Sequence, residues 1–64
     1  MMQQIVEFVR DNPGLTREEL TDAISDMYDE DPDNVAWWID HLTSEDVFRL
    51  RIDGDRLVVE CADE

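Results

Sequence analysis

The hydrophobic period changes once along this chain, at about Val47, and that change sets what the chain can fold into. Before it, apolar residues recur at the three-four spacing of amphipathic helices; after it, they alternate every second residue, as a half-buried strand requires. In the second part Phe48, Leu50 and Ile52 alternate with Val47, Arg49 and Arg51. Asp53-Gly54 supplies a turn signal, and Leu57 and Val59 resume the alternation. A two-residue Asp53-Gly54 loop predicts the pairs Leu50 with Leu57 and Phe48 with Val59, all four on one core-facing side of a hairpin over about 47–60. Slipping the register by one would split that set between faces.

The helical part divides into three. Met2, Ile5, Val6 and Val9, widened by Phe8, predict a helix over about 2–10 that ends at Asn12-Pro13-Gly14, where Pro13 disfavours helical geometry at Asn12 and Gly14 suits a tight turn. Thr16 and Glu19 form a capping box. Leu20, Ala23, Ile24 and Met27 then predict a second helix over about 16–28 with one apolar face. Asp29-Glu30-Asp31-Pro32-Asp33 is an acidic connector able to cap the next helix. Val35, Trp38, Ile39 and Leu42 predict a third helix over about 33–43. Ala62-Asp63-Glu64 are expected to fray. The fold class expected is α+β, three helices plus a carboxy-terminal hairpin, in a single domain spanning 1–64.

At 64 residues the core is thin. One cysteine, Cys61, and one histidine, His41, leave neither a disulfide framework nor a ligand set for structural zinc. The acids between Asp29 and Asp33 do not fit a helix-loop-helix calcium site, because Pro32 interrupts them and no glycine lies among them. No nucleophile-base pair stands out either, so no enzymatic activity, cofactor or small-molecule substrate is expected. His41 reads as a surface or helix-end residue, and Cys61, with no adjacent cation, as a small apolar one. The amino-terminal run lacks the basic flank and cleavage site of a secretory signal, and no stretch approaches the about 20 apolar residues needed to cross a bilayer. A cytoplasmic location and no membrane partner are the expectations.

The order of elements resembles that of the winged helix-turn-helix family. The likeness is carried by Asn12 to Leu20, by Val35 to Leu42, and by Val47 to Val59 around Asp53-Gly54. It implies a third helix aimed at the DNA major groove and a wing that grips phosphate or the minor groove, although the fold also serves as a protein-docking module. One departure is Ser44-Glu45-Asp46, where the family commonly carries a glycine after the third helix.

Charge cuts against DNA. There are 18 acidic residues against 5 basic ones, a formal net charge of -13, and every basic residue is arginine. From Glu18 to Phe48 the chain contains no lysine or arginine. Phosphate neutralisation supplies nearly all non-specific affinity for DNA, so a helix-turn-helix of this composition starts with an electrostatic deficit. Such acidity, with arginine in place of lysine, resembles the proteins of halophilic archaea, in which salt screens self-repulsion.

Two surfaces stand out as candidate sites. Arg49, Arg51, Arg56 and Val58 are expected together on the solvent face of the wing, where the arginines either offset neighbouring acids or grip an anion, DNA phosphate or acidic protein. Trp37 lies with Asn34 and His41 on a face of the third helix away from Trp38. Its ring either folds over the domain edge or anchors a protein partner. The function expected is thus a winged-helix module acting by protein contact, as a homodimer or on a larger regulator. A DNA-binding regulator using its arginine wing is the alternative, and an acidic DNA mimic the third possibility.

Overall fold

A computed structural model describes residues 1–62 of the chain. Three helices, α1 (Met2–Asp11), α2 (Arg17–Tyr28) and α3 (Pro32–Ser44), precede an antiparallel hairpin of β1 (Phe48–Asp53) and β2 (Arg56–Cys61). This α+β layout is consistent with a helix-turn-helix carrying a β-hairpin wing.

Local chemistry explains the helix limits. Asn12 leaves the helical region at φ -133° and ψ 69°, as the residue before a proline is biased to do, and both its amide and its side chain return to the last carbonyls of α1. The Thr16 hydroxyl accepts from the Glu19 amide at 3.2 Å, while the Glu19 carboxylate accepts from the Thr16 amide at 3.0 Å, which completes the capping box. Asp31 caps α3 by accepting from the Asp33 amide at 2.9 Å, and Pro32 takes the first helical position, where its missing donor costs nothing. Gly14 does not adopt a left-handed conformation, and a Cβ there would meet open space, so the turn after α1 does not depend on it.

The expected glycine after α3 is replaced by aspartate in the same geometry. Asp46 is left-handed at φ 63°; its amide reaches the Thr43 carbonyl, and the Val47 amide reaches the Leu42 carbonyl at 2.9 Å. This double closure is a Schellman motif, with Asp46 where glycine is favoured. Asp46 also places a negative charge at the negative end of the helix. Asp46→Gly should therefore stabilise the domain by about 1 kcal/mol, a rise in Tm of about 4–8 °C. Asp46→Ala removes the same charge but keeps a Cβ, so thermal melts should show it less stable than Asp46→Gly.

The core gathers Ile5 and Val9 of α1, Leu20 and Ile24 of α2, Val35, Ile39 and Leu42 of α3, and Phe48, Val59 and Cys61 of the hairpin. Val6, Phe8, Leu15 and Trp38 pack around it, half-buried. Two residues expected in apolar stripes lie outside: Met2 is 48% exposed and Met27 58% exposed. Each sits at a helix end, Met2 at the start of α1 and Met27 in the last turn of α2. Just past Met27, Asp29 turns left-handed and leads the chain away towards α3.

The hairpin keeps the expected faces but not the expected register. Phe48 pairs with Cys61, Leu50 with Val59 and Ile52 with Leu57, so the two-residue loop is Gly54-Asp55 rather than Asp53-Gly54. Gly54 alone in this loop has positive φ, at 68°, the glycine-first pattern of a type II′ turn. The slip is two residues, so side-chain faces are conserved while the partners change. Cys61 thereby enters the core opposite Phe48, and Leu50 and Leu57 are displaced towards the tip, where they are half-exposed.

Val58, expected on the solvent face, is fully buried. The reason is that β2 is flanked on both sides: Thr16 bridges Val58, and the Val59 amide donates to the Leu15 carbonyl at 3.0 Å. The segment before α2 thus runs along the second edge of β2. At the carboxyl end Ala62 is held by its amide on the Val47 carbonyl at 2.9 Å, while Asp63 and Glu64 lie outside the described residues.

Candidate interaction surface

Asn34, Trp37 and His41 follow one another at three and four residues along α3, which puts them on one face. All three are exposed, Trp37 at 56%. The indole of Trp37 stacks on the His41 imidazole, with centroids 5.1 Å apart and planes 4° from parallel, and meets Trp38 edge-on at 5.1 Å. Trp38 also meets His41 edge-on at 6.0 Å and leans on the core. The exposed tryptophan is therefore braced from two sides and anchored through Trp38 to packed interior. It loses little rotamer freedom on contact with a partner, which favours an aromatic as an interface anchor.

Arg17, Arg49, Arg51 and Arg56 are engaged with acids. Arg17, which opens α2, grips Asp40 of α3 with two parallel bonds of 2.7 and 2.8 Å, so it ties α2 to α3. Each group stabilises the other's charge: the hydrogen bond from Arg17 holds Asp40 below the usual aspartate range, and the same bond to Asp40 raises Arg17 above its ordinary value. On the wing Arg49 and Arg51 converge on Glu60 at 3.0 and 2.5 Å, and Glu60 is lowered first by its bond from Arg49. Arg56 leaves that pair and reaches across to Glu19 of α2. Glu19 is likewise lowered, chiefly by the backbone donor of Thr16, so one carboxylate both caps α2 and holds the wing.

Arg49, Arg51 and Arg56 do share the expected strand face. Sequence reasoning missed their acceptors, because Glu19 lies 37 residues from Arg56 and becomes a neighbour only when the wing folds back on α2. The one sign legible beforehand is that Glu60 occupies the same face of the hairpin as Arg49 and Arg51. Among the described residues no group of three or more His, Cys, Asp or Glu side chains could hold a metal ion. No helix among them is long and apolar enough to cross a membrane. No protein-family model, curated protein or solved structure shows a significant match to this chain.

Proposed function

We propose that this chain is a non-enzymatic winged helix-turn-helix module that acts by protein contact through the Asn34, Trp37 and His41 face of α3. The observation that carries this reading is the pairing of an exposed, braced Trp37 with a helix-turn-helix whose Arg17 is closed on Asp40. A groove-reading helix needs free cations at its flanks; this one offers a large aromatic among carboxylates. The non-enzymatic part of the proposal is supported by two residues: the single histidine stacks on tryptophan, and the single cysteine is buried in the core.

Trp37→Ala should abolish capture of the protein partner while leaving the circular dichroism melt within a few degrees of wild type, because the ring is more than half exposed. Mixed-sequence duplex DNA should not bind at the lowest salt at which the domain is folded. Binding that weakens with salt and disappears when Arg49, Arg51 and Arg56 become alanine would instead establish the DNA-binding alternative.

A further inference from the structure

We infer that the wing is a self-association surface, and that its occupant is the wing of a second copy of this chain. Leu50 is 49% exposed, Ile52 76% and Leu57 50%, and all three side chains lie on one face of the hairpin, in continuity with buried Phe48 and Val59. An uncovered aliphatic ladder on a chain this acidic needs a partner.

The backbone offers the same site. Asp53 and Arg56 close a two-residue turn, so the hydrogen-bonded pairs of the antiparallel ladder fall at Asp53 with Arg56, Arg51 with Val58 and Arg49 with Glu60. The alternating residues, Phe48, Leu50 and Ile52 on β1 and Leu57, Val59 and Cys61 on β2, then turn their amides and carbonyls outward. The bond from the Val59 amide to Leu15 shows this alternation on β2, whose outer edge is occupied. β1 has β2 as its one strand neighbour in the described sheet, so its outer edge is open. The outward backbone groups of β1 therefore belong to the residues that carry the apolar ladder. A second β1 running antiparallel across a two-fold axis would extend the sheet and merge both ladders on one face.

Charge selects a second copy over other occupants. The hairpin, residues 48–61, sets three arginines against Asp53, Asp55 and Glu60 and carries no net formal charge, whereas the helical part carries thirteen acids and two arginines. Two copies meeting by their neutral wings bring few carboxylates together, whereas contacts through α2, α3 or the connector between them set carboxylates against carboxylates. A basic partner would be drawn to the helices instead. Arg49 and Arg51 sit on the opposite face of the strand, held on Glu60, so little unbalanced charge enters the seam. Three partly exposed side chains fall well short of the about 800 Å² per partner of a standard interface, so the dimer is a weak one that leaves α3 free for another protein.

The test is analytical ultracentrifugation of the full chain in molar potassium chloride over a concentration series, with amide exchange measured alongside. Wild type should dimerise in the micromolar-to-millimolar range, and the Leu50 and Ile52 amides should become protected as concentration rises. Ile52→Arg and Leu57→Lys, both at exposed positions, should each weaken the dimer at least tenfold, with circular dichroism confirming that the variants are folded. Trp37→Ala should leave the dimer intact, which separates this surface from the α3 face. A monomer at every concentration, a dimer indifferent to both wing variants, or Leu50 and Ile52 amides whose exchange ignores concentration would overturn the inference.

Discussion

Phe48→Ala is expected to destabilise the domain by about 3–5 kcal/mol, while Ile52→Ala, on the same strand and the same face, should change the stability of the monomer by less than about 0.5 kcal/mol. Phe48 is the largest fully buried side chain, seated among residues from all three helices, and its removal takes away aromatic surface and leaves a cavity. Such truncations cost about 3–5 kcal/mol. Globular domains hold about 0.05–0.15 kcal/mol per residue, so a chain of this size has only about 3–10 kcal/mol in all. The loss is about a third or more of that total. Ile52 stands 76% exposed near the wing tip, and its truncation leaves no cavity. Chemical denaturation of both variants in molar salt measures the contrast. Comparable losses from the two would mean that the wing tip packs on the core after all, as the Asp53-Gly54 register would have drawn it inward.

The melting temperature should rise by more than about 10 °C between dilute buffer and molar potassium chloride, with partial unfolding at the dilute end. Two electrostatic effects oppose each other here. Salt weakens the pairs that Arg17, Arg49, Arg51 and Arg56 make with carboxylates, but each of these arginines is about half exposed, and ion pairs open to solvent in this way contribute little to stability. Salt also relieves the mutual repulsion of 18 acids against 5 arginines. With a radius of gyration of 10.6 Å, most carboxylates of the described residues lie within the about 30 Å screening length of 0.01 M salt from one another, whereas at 1 M that length is about 3 Å and only immediate neighbours interact. Repulsion sums over the whole set while the pairs are few, so screening should win. Melts in a chloride series at fixed pH are the measurement. A Tm that is flat or falls with salt would sink the reading of this composition as adaptation to concentrated salt.

Much of the architecture was legible because its signals are local. The capping box of Thr16 and Glu19, the proline that ends α1 and the aspartate that starts α3 act over two to four residues, within reach of one helical turn. The helical period before Val47 and the alternation after it likewise determine which residues face inward in most of each element. The same pattern placed Asn34, Trp37 and His41 on one face of α3 and the three wing arginines on one face of the hairpin.

What the sequence alone could not decide depends on distant parts of the chain. A slip of two residues leaves every hairpin side chain on its original face, so the alternation is blind to it, and both Asp53-Gly54 and Gly54-Asp55 are chemically acceptable loops. Tertiary packing decided between them. The observed register puts Cys61 opposite Phe48 in the core and brings the Val59 amide to Leu15. Burial of Val58 comes from the segment before α2 lying along β2, a neighbour no strand pattern announces. Exposure of Met27 and Trp37 was settled by how far the neighbouring elements extend, and the fate of Arg56 by the distance between the wing and α2. Periodicity determines direction relative to an element's own axis; depth, register and partners are set by the other elements that pack against it.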